Sequence, residues 1–147
     1  MKRILVAGAV LFAFTPTAQA AEEAIKQCFC QGMEQDVALQ GGAQADCLNA
    51  THAIKVDPTE NWAGALGEVL HYATQTEKSA KIILYCRQSS TDRSCQNQTR
   101  RLENTIAKFS LPIEIDSFSE NEVIAKCGRD ANREEREIGS ARLIPIW

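Results

Sequence analysis

Six cysteines constrain the fold of this chain more than any other feature of its sequence. All of them follow an N-terminal leader with cations at Lys2 and Arg3, an apolar run, and small residues at Ala18 and Ala20. This pattern is typical of a secretory signal peptide, so we expect residues 1–20 to be removed on export. In an oxidising compartment six cysteines predict up to three disulfide bonds, with fifteen alternative pairings. The cysteines are Cys28, Cys30, Cys47, Cys86, Cys95 and Cys127.

The length of the exported part predicts one domain. Removing residues 1–20 from the 147-residue chain leaves 127 residues, which is enough for one core and too few for two. We therefore expect a single α/β domain over residues 21–127 and a charged, solvated tail over residues 128–147. The apolar leader is shorter than the ~20 residues that a membrane span needs, and no later segment is apolar enough, so we predict no stable membrane insertion. The expected location is the periplasm or the outside of the cell.

Hydrophobic periodicity predicts the order helix, three-strand meander, helix, strand, helix, strand. A short helix is expected to end near Gly32, and the alternating runs EQDVALQ, AQADCLN and HAIKVD then form the meander. Pro58 starts a long helix, and the apolar run KIILYCR after it predicts a strand that is buried on both faces. DRSCQNQTRRLENTIAKFS is helical again, LPIEIDSF alternates as a last strand, and ENEVIAKC forms a last short helix. Because strands joined through helices lie parallel, we predict an α/β fold with a mixed sheet flanked by helices.

The meander carries a group of charged side chains. Side chains two apart in a strand share a face, so Lys55 and Asp57 are neighbours on the face opposite the core. Asp46, on the adjoining antiparallel strand, can approach them across the pair. Asp36 or Glu34, on the first strand, can add a carboxylate at the same place. The sequence therefore predicts a cluster of two or three carboxylates with one lysine.

Metal-assisted phosphodiester hydrolysis uses such a set of groups. Carboxylate oxygens hold Mg²⁺, the ion lowers the pKa of its bound water, and a lysine orients the nucleophile. In this interpretation Asp46 and Asp57 are the metal ligands, Asp36 is a helper carboxylate and Lys55 is the orienting cation. The alternative is a pair of exposed charges at a strand edge that performs no chemistry.

The stretch ADCLNATHAIKVDPTENWAGALGEVLHYATQTEKSAKIILY resembles the PD-(D/E)XK, or restriction-endonuclease-like, nuclease superfamily. It is similar to small members in which a THAIEVD-like strand runs into a WAEAIGQSLHYA-like helix. The resemblance implies a restriction-endonuclease-like core, Asp46 as the first motif acid and a Mg²⁺-dependent nuclease. Lys55-Val56-Asp57 occupies the place of the family's acid-x-lysine with the charges exchanged. The resemblance also implies that Glu68 and Tyr72 of the following helix support the site: Glu68 replaces a family glutamine, whereas Tyr72 is retained.

Three functions stay open at this point. The first is a Mg²⁺-dependent nuclease, and the second is a catalytically inactive member that binds nucleic acid or an envelope protein through the same surface. The third is a small periplasmic interaction or inhibitor protein with no link to nucleic acid. Without Lys2 and Arg3 the chain carries 14 basic and 19 acidic side chains, so it has no global basic field for a polyanion.

The predicted topology also suggests disulfide partners. Cys86 ends the central strand and Cys95 opens the next helix, so we expect these two to bond. Cys47 is expected to bond Cys28 or Cys30 of the first helix, and Cys127 the other of the two. Such bonds would fix the meander to the first helix.

Overall fold

The computed structural model describes residues 18–128, so most of the predicted signal peptide and of the predicted tail lies outside the described residues. Within this range a mixed five-stranded sheet is flanked by four helices, which confirms the predicted fold class and element order. The elements are α1 (Ala18–Phe29), β1 (Glu34–Ala38), β2 (Gln44–Leu48), β3 (His52–Pro58), α2 (Trp62–Thr76), β4 (Ser79–Tyr85), α3 (Asp92–Phe109), β5 (Ile113–Phe118) and α4 (residues 120–128).

The strands follow one another in the sheet in the order β1-β2-β3-β4-β5. β1, β2 and β3 pair antiparallel as a meander, with Cys47 opposite Ile54 in the second pair. β3, β4 and β5 are parallel, with Asp57 opposite Leu84. Short turns permit the antiparallel pairs, whereas each parallel pair needs a helix, α2 or α3, to bring the chain back.

Helix α2 is amphipathic, and its buried side covers the sheet. It buries Ala65, Val69 and Tyr72, which follow at intervals of four and three residues and so lie on one face. Val69 packs in a cluster with Ile82 of β4 and with Leu102 of α3. The helix therefore lies against the same face of the sheet as α3 and covers β3 and β4.

The opposite face of the sheet carries α1 and α4. Ile54 and Val56 of β3 pack there in one cluster with Phe29, at the end of α1, and with Val123 of α4. Since helices cover both faces, β4 is buried on both sides, as its apolar sequence predicts.

Three disulfide bonds join the elements. One bond connects Cys28 of α1 to Cys127 of α4, and a second connects Cys30 to Cys47 of β2. The third joins Cys86, just after β4, to Cys95 of α3. Among residues 18–128, no helix combines the length and the apolar character that a membrane span requires.

Candidate functional site

The ammonium group of Lys55 lies among three carboxylates. Its Nζ atom is 2.8 Å from Glu68 Oε2, 3.4 Å from Asp46 Oδ2 and 3.7 Å from Asp57 Oδ2. We call these four residues the Lys55 cluster. The structure thus brings together Asp46, Lys55 and Asp57 of the predicted site with Glu68, the helix position that the resemblance singled out, which is the nearest partner of the lysine.

Asp46 holds its position through the backbone of β3. The β2–β3 pairing runs from Leu48 only as far as Cys47, which lies opposite Ile54. Beyond that point, Asp46 Oδ2 accepts a hydrogen bond of 2.8 Å from the backbone N–H of Val56. A side chain therefore satisfies a buried backbone donor where the strand pair stops, and this fixes the carboxylate beside Lys55.

Helix α2 contributes the other wall of the cluster. Glu68 and Tyr72 are one helical turn apart, and the Tyr72 hydroxyl donates to Glu68 Oε2 at 2.9 Å. At the start of the helix, Asn61 donates to Asp57 Oδ1 at 3.3 Å. The sequence predicted that Lys55 and Asp57 face solvent, but they are half-buried because α2 packs over this face of β3.

The ion pairs determine the protonation states in the cluster. Burial lowers the pKa of Lys55, but the hydrogen bond to Glu68 and the charges of Asp46 and Asp57 outweigh it, so the pKa lies well above its ordinary value. Burial raises the pKa of Asp46 and of Asp57, and the nearby ammonium offsets only part of this effect. Burial also raises the pKa of Glu68, but the hydrogen bond and the charge of Lys55, together with the hydrogen bond from Tyr72, outweigh burial and lower it. At neutral pH the lysine is therefore a fixed cation with Glu68 as its main counter-ion.

The same geometry tests whether Mg²⁺ fits among these residues. Carboxylate oxygens bind Mg²⁺ at about 2.0–2.1 Å in near-octahedral geometry. Here the three carboxylates point at one ammonium group, which fills the space between them. Within the described part of the chain, no three His, Cys, Asp or Glu residues form a group that could hold a metal ion. The residues therefore do not fit Mg²⁺ while Lys55 has this conformation.

Asp36 lies outside the cluster, contrary to the sequence prediction. Its carboxylate forms an ion pair of 2.7 Å with Lys26 of α1. The backbone of Asp36 is left-handed, with φ of 52°, and such a residue interrupts the regular alternation of a strand. Glu34, the alternative, is exposed on the same edge strand. Alternation from β1 therefore did not predict where these acids lie.

A cleft of about 460 Å³ opens the Lys55 cluster to solvent. Asp46, Lys55 and Glu68 line it, and the small residues Ala43 and Gly67 form part of its walls. His71 and Tyr72 of α2, with Gln44 of β2, complete the lining. His71 was not predicted to lie at this site, although it follows Glu68 by three residues and so shares its side of α2.

His52 belongs to a second charged group on the opposite face of the sheet. Its Nε2 atom is 2.7 Å from Glu114 of β5, and Lys81 of β4 contacts both Glu114, at 3.3 Å, and Asp116, at 2.8 Å. The side chains of Glu114 and Asp116 are about half exposed. This group therefore differs from the Lys55 cluster in its access to water.

No protein-family model, no curated protein and no solved structure matches this chain.

Proposed function

We propose that this chain is an exported, disulfide-stabilised binding domain without hydrolytic activity, built on a nuclease-like fold. In this proposal the Lys55 ammonium takes the place of a catalytic metal ion. The observation that carries it is the position of Lys55 Nζ, between 2.8 and 3.7 Å from three carboxylate groups. Because the internal cation neutralises part of their charge, the carboxylates do not need a bound ion.

The resemblance to the nuclease superfamily supports this proposal in one specific way. Lys55 stands where the resembled strand has an acid, and Glu68 stands where the resembled helix has a glutamine. These two departures contact each other at 2.8 Å. A lysine at position 55 alone would lack its nearest counter-ion, so the two changes together form an ion pair that closes the site.

Export is supported by the cysteines and by the leader. All six cysteines are bonded, and such bonds persist in oxidising compartments outside the cytosol. The leader sequence is typical of a secretory signal peptide.

The charge of the cleft favours a protein partner over nucleic acid. Asp46 and Glu68 line the cleft with Lys55 between them, and no arginine or second lysine is among the described cleft residues, so carboxylates outnumber lysines and arginines there. Acidic side chains repel a phosphate backbone, which is bound mainly through lysine and arginine. We therefore propose an envelope protein with a cationic or hydrogen-bonding segment as the partner.

A Mg²⁺-dependent nuclease is the second candidate function. It is favoured by the convergence of Asp46, Lys55 and Asp57 beside an open cleft, which is the arrangement that the sequence predicted. This candidate requires Lys55 to leave the three carboxylates, and such a movement would leave buried charges without a partner.

A cleavage assay separates the two candidates. Oxidised protein is incubated with single- and double-stranded DNA and RNA in the presence of Mg²⁺, Mn²⁺ or EDTA. We expect no metal-dependent cleavage by the wild-type protein. Cleavage that Asp46→Asn and Asp57→Asn both abolish would establish the nuclease instead, whereas cleavage that survives both changes indicates a contaminating enzyme.

Binding through the cleft can be tested with two glycines of α2. Apart from the adjacent residues and the local helix backbone, a Cβ atom at Gly67 or at Gly64 would meet no atom within 4 Å, so both positions accept a side chain. Gly67 lines the cleft, whereas Gly64 is not among the cleft residues. We expect Gly67→Gln to weaken crosslinking to an envelope partner and Gly64→Gln to leave it unchanged. Equal crosslinking by both variants would contradict binding at the cleft.

A further inference from the structure

A second cavity, of about 340 Å³, lies on the face of the sheet opposite α2. It is enclosed by α1, the end of β4 and α4, and we call it the α1–α4 cavity. Its walls are mostly apolar and include Ile25, Tyr85, Cys86, Val123, Ile124 and Cys127. No residue of the Lys55 cluster lines it. Its volume lies in the range of roughly 300–1,000 Å³ that is usual for ligand pockets.

The chain leaves the described structure at this cavity. Gly128, the last described residue, is one of the residues that line it. The sequence that follows has two parts of different character. Residues 129–137, RDANREERE, are mostly charged, whereas residues 143–147 read LIPIW and are wholly apolar. An apolar segment is thus tethered to the rim of an apolar cavity.

We propose that residues 143–147 bind in the α1–α4 cavity of the same chain. The connection over residues 129–142 is long enough, because a random-coil chain of 14 residues would span roughly 20 Å. Such a tether gives the segment an effective concentration on the order of 1 mM at the cavity. Even a contact with an intrinsic Kd of about 0.1 mM would then be roughly nine-tenths occupied.

The charges at the rim agree with this occupant. Arg142 directly precedes the apolar segment in the sequence. Glu22 of α1, Glu120 of α4 and Arg87 all line the cavity, and Glu22 forms an ion pair with Arg87, so the rim carries one more acid than base. A segment that enters with Arg142 at the rim therefore brings a cation towards an acidic edge.

Tryptophan fluorescence tests the proposal, since the chain has two tryptophans, Trp62 and Trp147. In Trp62→Phe the emission reports Trp147 alone. We expect a blue-shifted emission and weak quenching by acrylamide. Ile124→Asp places a charge in the cavity wall and should shift the emission to the red and raise the quenching. If the charge weakens binding of the tail segment about tenfold, the fraction of chains with an occupied cavity falls to roughly one half.

Two further variants serve as control and as second test. Phe109→Asp introduces the same charge at a side chain that is 68% exposed on α3, away from the cavity, and should change neither signal. Ile144→Asp changes the tail rather than the domain, so it cannot act by unfolding the cavity, and it should reproduce the effect of Ile124→Asp. Circular dichroism of each variant verifies that the domain is folded.

Three results would overturn the proposal. One is a red, freely quenched Trp147 in Trp62→Phe itself, and another is an emission that neither Ile124→Asp nor Ile144→Asp alters. The third is a blue shift that disappears on dilution together with a dimer in sedimentation, because the occupant would then come from a second copy.

Discussion

Replacing Lys55 by methionine tests the energetic role of the Lys55 cluster. The substitution keeps an unbranched side chain, shorter by one atom, and removes its charge. The side chains of Asp46 and Asp57 are only 11% and 15% exposed, so water cannot replace the ammonium fully. Removing one partner of a buried ion pair usually costs about 3–5 kcal/mol. Since the Glu68 side chain is 50% exposed and can be hydrated, we expect a loss of about 2–4 kcal/mol at pH 7.

Urea denaturation and thermal unfolding measure this loss. For a domain of this size, 3 kcal/mol corresponds to a decrease in Tm of roughly 10 °C. Lys81→Met is the matched control, because Lys81 also contacts two acids, but the side chains of Glu114 and Asp116 are 56% and 45% exposed. We expect the control to lose less than about 1 kcal/mol. Equal losses in the two variants would refute the reasoning that the buried carboxylates of Asp46 and Asp57 depend more on their ammonium group than the half-exposed acids around Lys81 do.

The pH dependence of the same variant follows from the carboxylates. Without the ammonium, nothing from Lys55 opposes the effect of burial, so the pKa values of Asp46 and Asp57 in the folded state rise further. Between pH 7 and pH 4 the folded state of the variant therefore binds more protons than its unfolded state. Stability then rises as the pH falls towards the unfolded pKa of about 4, and the difference from wild type shrinks between pH 7 and pH 4. In the wild-type protein the raised pKa of Lys55 contributes stability that is complete below about pH 10.4 and is lost above it. A difference between the two proteins that stays constant from pH 7 to pH 4 would contradict this account.

Two further sets of variants test the backbone hydrogen bond of Asp46 and the disulfide bonds. Asp46→Ala removes the acceptor of a buried β3 N–H as well as a partner of the lysine, so we expect a loss of about 2–3 kcal/mol in urea denaturation. Asp46→Asn keeps an acceptor oxygen and should lose less; an equal loss would show that the backbone hydrogen bond does not matter. Replacing Cys28 and Cys127 by alanine opens a loop with a sequence separation of 99 and should cost about 4.7 kcal/mol, against about 2.6 kcal/mol for Cys86 and Cys95, separated by 9. A larger loss for the shorter loop in the same denaturation experiment would indicate that strain or contacts, rather than chain entropy, determine the effect.

The parts of the site that depend on local geometry could be predicted from the sequence. Lys55 and Asp57 share a face because alternation in a strand is a property of the backbone alone. Asp46 lies close to Lys55 because the turn between β2 and β3 is short, and two strands joined by a short turn pair antiparallel. These two rules are enough to place three of the four residues of the cluster.

The position of Glu68 and the burial of the Lys55 face depend on how the helix packs on the sheet. The residue pattern of a single strand does not predict this packing. Glu68 reaches Lys55 because α2 lies over β3, and the position of that helix is determined by the core beneath Ala65 and Val69. The same packing explains why a face that reads as exposed is half-buried. Asp36 turns towards Lys26 because a single left-handed residue interrupts the alternation of β1.

Binding of Mn²⁺, followed by electron paramagnetic resonance of the free ion, tests most directly whether Lys55 takes the place of a metal. Mn²⁺ prefers the same oxygen ligands as Mg²⁺ and gives a signal that decreases when the ion binds to protein. For the wild-type protein we expect no stoichiometric binding at millimolar ion, and no difference between wild type and Asp46→Asn. One Mn²⁺ bound per chain, and lost in both Asp46→Asn and Asp57→Asn, would contradict the proposal.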